Sequence, residues 1–132
     1  MQISLTIPLP PITKKNHQQI VKKKMPGGKI RPMVIPSKQY REYEAMCGIY
    51  LIDHALQIDY PVNVKALYYM PTRRRVDLTN LHEALHDVLV KCEVLKDDNS
   101  KIIVSTDGSR VLYDKDNPRT EVTITSMEDE NV

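Results

Sequence analysis

The sequence lacks several residue types and patterns, and each absence narrows the class of protein. Its 132 residues include no Trp and no Phe, so a core has to be built from Ile, Val, Leu, Met, Ala and Tyr. No apolar run approaches the roughly 20 residues that a membrane-spanning helix needs. The first residues alternate and soon meet prolines, which is not typical of a signal peptide. The length is that of one ordinary domain with its own core.

Cysteine is scarce, and the motifs of several common enzyme classes are missing. The two cysteines, Cys47 and Cys92, lie far apart and lack the spacing of metal ligands. Each falls on the apolar side of a predicted helix, so we expect two buried, reduced thiols, as in a reducing cytoplasm. No Gly-rich phosphate loop and no nucleophile elbow occurs, which disfavours a P-loop NTPase and an α/β-hydrolase.

Acidic residues are absent from the start of the chain. Nine Lys and Arg residues, but no Asp or Glu, precede Glu42, although the formal net charge of the whole chain is only +2. A basic front end is typical of proteins that bind a polyanion, and it is equally compatible with a solvated surface. The opposite end is acidic, and we expect residues 128–132 to be a disordered tail after a single domain spanning 1–127.

Hydrophobic periodicity predicts an α+β fold with a small mixed β-sheet and two main helices. Ser37 is the candidate N-cap of the first helix, which helical spacing extends to about Leu56. Pro26-Gly27-Gly28 predicts a hairpin turn. The predicted strands are 2–7, 20–24, 29–35, 62–68, 102–104, 111–113 and 120–125, and the second helix covers 78–91, which gives the order ββ(β)αβαβββ.

Three consecutive arginines, Arg73, Arg74 and Arg75, run almost directly into Asp77 at the predicted start of the second helix. Arginine suits phosphate because its guanidinium presents a fixed fork of donors. Asp77 is at an N-cap position, and its position alone favours a capping role, which does not exclude a second role as a metal ligand. Glu83 and Asp87 share a polar stripe of the same helix. These residues together suggest metal-assisted chemistry on a nucleic-acid backbone.

An acidic pair, Asp97-Asp98, follows the helix. Magnesium is commonly held by one or two carboxylates together with substrate phosphate. However, the two ends of this helix are about 20 Å apart at 1.5 Å per residue. Asp98 and Asp77 can therefore meet only if the chain after residue 91 turns back along the helix.

A zinc hydrolase is an alternative, because His82-Glu83-Ala84-Leu85-His86 has the spacing of a zinc-binding helix with Glu83 as general base. No third ligand follows at the usual downstream position, and the alternative leaves the arginine cluster unexplained.

The run 73–81, with Asp87 on the helix and Asp97-Asp98 after it, resembles the RusA family of Holliday junction resolvases. The resemblance extends to the amino-terminal strand with its prolines and Asn16, and to the final strand, and covers most of the chain. It implies a homodimeric, magnesium-dependent endonuclease (with Mn²⁺ as an alternative cofactor) that nicks branched DNA at four-way junctions in recombination and repair. It also implies a cytoplasmic location and a phage-related origin.

The resemblance assigns Asp77 and Asp98 as metal ligands, with Asp97 beside Asp98, and matches Asn16 to an amino-terminal Asn associated with function. The predicted DNA-binding residues are Asn16, which the resemblance marks, and the basic residues Lys14, Lys15, Lys22, Lys23, Lys24, Arg73, Arg74 and Arg75, whose side chains hold phosphates without reading sequence.

Two positions depart from the family pattern. Thr79 stands where the family usually has a second Asp, and Glu83 stands where it has a functional Lys. Because Glu83 lies four residues after Thr79, on the same helical face, we expect Glu83 to supply the missing carboxylate as a catalytic and metal-binding residue. The alternative is a catalytically impaired protein that only binds junctions.

Overall fold

A computed structural model describes residues 1–14 and 18–127. The predicted acidic tail, residues 128–132, lies outside the described residues. The elements in chain order are β1 (Gln2–Ile7), β2 (Gln18–Lys24), β3 (Ile30–Pro36), α1 (Lys38–Tyr50), a short 3₁₀ turn (Ile52–His54), β4 (Val62–Met70), α2 (Leu78–Lys91), β5 (Ile103–Ser105), β6 (Arg110–Tyr113) and β7 (Arg119–Ser126). This order confirms the predicted α+β class.

Five strands form a mixed sheet with β4 at its centre. The order β1-β7-β4 is antiparallel throughout, whereas β5 and β6 both run parallel to the other edge of β4. Alternate residues of β4 are fully buried, as the period of a half-buried strand requires. The buried side chains of β1, β4 and β7 form one core with the apolar faces of both helices.

The strands β2 and β3 form a separate two-stranded hairpin. Its turn follows the predicted Pro-Gly-Gly signal, since Gly27 and Gly28 both have positive φ, at 86° and 82°. The hairpin exposes Ile20 and Ile30. Because an isolated two-stranded hairpin is only marginally stable in water, this arm contributes little to the stability of the domain.

Helix α1 begins as predicted, with the Ser37 hydroxyl accepting a hydrogen bond from the Tyr40 backbone N–H at 3.1 Å. Tyr40 is buried, and its hydroxyl donates to the Ala84 carbonyl of α2 at 3.4 Å. The tyrosines at 40 and 43 are therefore packing residues. The helix ends at Tyr50, earlier than predicted, because the chain tightens into the 3₁₀ turn from Ile52 to His54.

Helix α2 has the predicted bounds, but its apolar stripe is shifted. From the spacing of Leu78, Leu81, Leu85, Val88 and Cys92 the sequence predicts one apolar stripe, but Leu78 is 36% exposed, whereas Ala84 and Leu89, which are not in that set, are buried. Both cysteines are free thiols, as predicted, but only Cys47 is fully buried and Cys92 is half-buried. Burial raises the pKa of the Cys47 thiol to about 12.

No helix among the described residues is both long enough and apolar enough to span a membrane.

Gly48 lies inside α1, where a Cβ would meet no atom within 4 Å. Because Gly inside a helix is less stable than Ala, Gly48→Ala is expected to raise the free energy of unfolding by about 0.5–1 kcal/mol. Gly108→Ala is the matched control. Gly108 has φ +88°, and a Cβ there would lie 3.1 Å from the Lys65 side chain, so this variant should be destabilised. Urea denaturation of both variants measures the two opposite changes, and a loss of stability in Gly48→Ala would contradict the expectation.

Candidate active site

The arginine segment connects β4 to α2 and lies on the surface. Arg73, Arg74 and Arg75 are all exposed. The Arg73 guanidinium carbon lies 4.2 Å from the centroid of the Tyr113 ring, a cation–π contact with the end of β6. The Arg74 backbone N–H donates to the Thr72 hydroxyl at 3.4 Å. The segment therefore presents a positive surface directly before α2.

Asp77 occupies the N-cap position of α2, as the sequence predicts, but its carboxylate makes no capping hydrogen bond. Instead, the Asn80 side-chain amide donates to Asp77 Oδ2 at 3.3 Å. Asp77 is exposed, and so is Thr79. The Asp77 carboxylate is therefore accessible to a ligand from solvent, next to the positive end of the helix dipole.

The polar stripe of α2 meets a cation from the amino-terminal segment. Lys14 Nζ donates to Asp87 Oδ2 at 2.6 Å, and both side chains are only partly exposed. This hydrogen bond, helped by the nearby charges of Asp87 and Glu83, raises the pKa of Lys14 even though burial opposes the shift. Lys14 is thus a charged lysine that contacts the carboxylate-bearing face of α2.

The chain turns back sharply after α2. Glu93 adopts φ 62°, the left-handed conformation that ends many helices. The Glu93 N–H donates to the Val90 carbonyl at 3.0 Å and the Val94 N–H to the Leu89 carbonyl at 2.9 Å, which together form a Schellman motif. A bridge between Ile58 and Leu95 then holds the returning segment against the core. The chain therefore reverses its direction directly after α2.

Asp97 and Asp98 sit in the turn that follows. Asp97 accepts from the Asp98 backbone N–H at 2.7 Å and from the Asn99 side-chain amide at 3.1 Å, and these bonds lower the pKa of Asp97. The pKa of Asp98 is raised, first by partial burial and then by Asp97 and Asp87. Asp97 thus shapes the turn, while Asp98 lies in the negative field of α2 and would be stabilised by a cation.

The structure brings the predicted acids together only in part. Asp98 lies within electrostatic range of Asp87, and Glu83 and Asp87 both act on Lys14. Within residues 1–14 and 18–127, no group of three or more His, Cys, Asp or Glu side chains is arranged to hold a metal ion. The ligand set Asp77, Glu83 and Asp98 therefore stays a prediction.

Of the predicted DNA-binding residues, most are placed on exposed surfaces. Lys22, Lys23 and Lys24 are exposed along β2 of the hairpin. Lys14 is half-buried against Asp87 rather than free on the surface. Lys15 and Asn16 lie outside the described residues.

The histidine pair of α2 points into the fold. The His82 and His86 rings are stacked, with centroids 5.5 Å apart and planes 7° apart. His82 Nδ1 is hydrogen-bonded to the Tyr68 hydroxyl at 2.7 Å, whereas His86 Nε2 is buried without a partner. Burial lowers the pKa of both rings. This packing role accounts for the pair, and the zinc-hydrolase alternative gains no support from it.

The sequence places Asp87 on the polar stripe of α2, but no catalytic, metal-binding or DNA-binding role was predicted for it. Asp87 contacts Lys14 and raises the pKa of Asp98, so it links the amino-terminal segment, α2 and the acidic turn. The available signal was its place on the polar stripe of α2 with Glu83. That pattern did not show which distant residues would reach the stripe.

An exposed arginine segment that leads into a helix with grouped carboxylates defines a surface suited to phosphodiester chemistry. Comparison with known families agrees with this class. The sequence matches the family Endodeoxyribonuclease RusA over residues 8–125, and the chain belongs to that family. It is thus an endodeoxyribonuclease of the Holliday junction resolvase type, a class that acts on branched DNA and generally depends on a divalent metal. A search of curated proteins finds no match.

Proposed function

We propose that this protein is a magnesium-dependent nuclease that nicks four-way DNA junctions and related branched DNA in recombination and repair. One observation carries the proposal: the exposed arginine segment ends at Asp77, whose carboxylate is not used for capping although it occupies the N-cap of α2. In this proposal the arginines bind a phosphate of the DNA, and the Asp77 carboxylate holds a divalent cation next to that phosphate. We further propose that it acts in the cytoplasm of a bacterial or phage-infected cell.

The donor chemistry of the site fits a hard divalent cation. Asp77, Glu83 and Asp98 offer carboxylate oxygens, which Mg²⁺ and Mn²⁺ accept. Mg²⁺ typically retains several waters and takes one or two protein carboxylates together with substrate phosphate, so it does not require a complete cage of protein ligands. Partial burial, and then the neighbouring Asp97 and Asp87, raise the pKa of Asp98, and a bound cation would offset the part due to these two carboxylates. When bound, such an ion activates a water and offsets charge on the scissile phosphate.

The protein's own residues would position the DNA. Arg73, Arg74 and Arg75 bind phosphates next to the site, and the lysines of the hairpin bind phosphates farther along a DNA arm. Lys15 and Asn16, beside Lys14, are proposed to extend this contact. Because such contacts replace counterions around the DNA, binding should weaken steeply with salt.

The two departures from the family pattern are proposed to compensate each other. Glu83 supplies the carboxylate that Thr79 lacks, one helical turn away on the same face. Lys14 donates a hydrogen bond to Asp87 and lies within electrostatic range of Glu83. Its positive charge replaces that of the lysine which the family has at the position of Glu83. In this proposal the numbers of acidic and basic groups are kept, although their positions change.

Glu83→Gln is expected to abolish magnesium-dependent cleavage, because an amide keeps the size of the side chain and removes its charge. The variant should retain junction binding in gel-shift assays and should bind Mg²⁺ more weakly in calorimetry. Asp107→Asn, in the exposed turn between β5 and β6 and away from α1 and α2, is the control for loss of one carboxylate and should cut normally. Near-normal cleavage by Glu83→Gln would refute a catalytic role for Glu83.

A second candidate function follows from the same departures. With Thr79 in place of an acid, the site is catalytically impaired and the protein only binds junctions. Both candidates predict binding that depends on the basic residues, but only the nuclease predicts nicks that require a divalent metal.

We also propose that the protein works as a homodimer. A four-way junction needs two symmetric cuts, and a two-fold dimer is the simplest arrangement that supplies two equivalent sites. Helix α1 and the turn after it expose a group of large apolar side chains that such an interface would cover, namely Met46, Ile49, Tyr50 and Ile52. Sedimentation equilibrium that gives the mass of one chain at working concentrations would contradict this proposal.

A further inference from the structure

Tyr113 is an exposed aromatic residue beside the arginine segment. It is the last residue of β6, an edge strand that pairs with β4 alone within the described chain. Its side chain is 38% exposed. One side of the ring carries the Arg73 guanidinium, whose carbon lies 4.2 Å from the ring centroid. The ring therefore keeps a free surface while it is joined to a cation.

The surface next to this pair is a cleft of about 350 Å³ that contains no carboxylate in its lining. Arginines supply its charge, and apolar or hydroxyl side chains supply the rest: Met70, Thr72, Arg73, Arg74, Val111, Leu112 and Tyr113. The next acid along the chain, Asp114, is engaged by Arg119 Nη1 at 2.9 Å. A cleft with positive charge and an aromatic face suits a nucleotide, since the two features match its phosphate and its base.

We propose that Tyr113 is a specificity-determining residue that stacks on a base exposed at the branch point of a DNA junction, while Arg73 and Arg74 hold the adjoining phosphates. This inference rests on the proposed action on junctions and adds the residue that recognises the branch. Bases inside a continuous duplex are covered on both faces by their neighbours. A branch point interrupts the stack and frees a face, so an aromatic side chain at this position favours branched over linear DNA.

The size of the effect follows from base–aromatic stacking. Removal of one stacking side chain weakens binding to unstacked nucleic acid by roughly ten- to a hundredfold. Removal of the Tyr113 ring should weaken the affinity for junctions and leave the affinity for linear duplex unchanged, because a linear duplex has no exposed base face. A residue that served only to support Arg73 would instead weaken phosphate binding, and hence weaken junction and duplex binding together.

The test compares the affinities of variants for a four-way junction and for a linear duplex of the same sequence, measured by fluorescence anisotropy in EDTA so that no strand is cut. Tyr113→Leu keeps an apolar side chain under Arg73 but removes the aromatic face. Tyr113→Phe keeps the face, and Tyr60→Leu removes another exposed tyrosine (41% exposed) away from the cleft. A second readout is the fluorescence of 2-aminopurine placed at the branch point, which reports stacking directly.

We expect Tyr113→Leu to lose about tenfold or more in junction affinity, with duplex affinity unchanged and the 2-aminopurine response lost. Tyr113→Phe and Tyr60→Leu should match the wild type, whereas Arg73→Gln should weaken binding to both DNAs. The proposal is overturned if Tyr113→Leu binds both DNAs as the wild type does, or weakens on both equally. If the wild type itself shows no preference for the junction, the proposed function fails first, and with it this inference.

Discussion

Asp77→Asn is expected to remove strand cleavage and to leave junction binding intact. Asp77 is exposed and makes no capping hydrogen bond through its side chain, and Asn is as good an N-cap residue as Asp. The fold should therefore tolerate the change. Loss of a residue behind a metal ligand typically costs 10–100-fold in affinity or activity, so the loss of a ligand itself should reduce cleavage by at least about a hundredfold.

The measurement is single-turnover nicking of a labelled junction, with gel-shift binding measured in parallel. Asp107→Asn is a matched control, since it makes the same change of charge at another exposed position, in the turn between β5 and β6. Normal nicking by Asp77→Asn would show that Asp77 acts only as a helix-start residue.

The second large effect concerns stability at low pH and His86. Burial, together with the neighbouring His82, lowers the pKa of His86 from 6.5 to about 4. Its Nε2 is buried without a hydrogen-bond partner, so a second ring proton would have no acceptor. Because the unfolded state takes up this proton at higher pH than the folded state does, stability should fall as pH drops from about 6.5 to about 4. The loss is on the order of 3 kcal/mol.

Urea denaturation at a series of pH values measures this loss. Carboxylates also titrate in this range, so the informative quantity is the difference between the wild type and His86→Leu, which should lose much less stability between pH 6.5 and 4. His54→Gln removes a histidine elsewhere and should keep the wild-type dependence. Equal slopes for wild type and His86→Leu would show that the titration of His86 does not govern acid stability.

Local signals in the sequence predict most of this fold. The bounds of α2, the Ser37 cap and the Pro-Gly-Gly hairpin each depend on a few neighbouring residues, and all are confirmed. The end of α1 was predicted too late because the helical spacing continues through the 3₁₀ turn, whose side chains follow nearly the same period.

The connections between distant segments could not be predicted in the same way. The contact of Lys14 with Asp87 joins residues 73 positions apart, and no local pattern specifies it. The turn after α2 depends on Glu93, which adopts a left-handed conformation that usually belongs to Gly or Asn. With Glu instead of Gly or Asn at position 93, the sequence does not predict the Schellman motif, which brings Asp98 back towards Asp87.

The part of the candidate site formed by neighbouring residues, the run from Arg73 to Asp77, could be predicted from the sequence. The contact of Tyr113 with Arg73, on which the proposed role of Tyr113 depends, could not be predicted, because it requires the pairing of β6 with β4. The assignments of Glu83, Asp97 and Asp98 remain proposals that depend on a bound metal and on DNA.

The most direct test of the central claim is incubation of the purified protein with a synthetic four-way junction in Mg²⁺, beside linear duplex and flap substrates of matched sequence. We expect paired, symmetric nicks in the junction, little cutting of linear duplex, and no cutting after addition of EDTA. Absence of nicking on every branched substrate, in both Mg²⁺ and Mn²⁺ and with binding intact, would contradict it and favour a protein that only binds junctions.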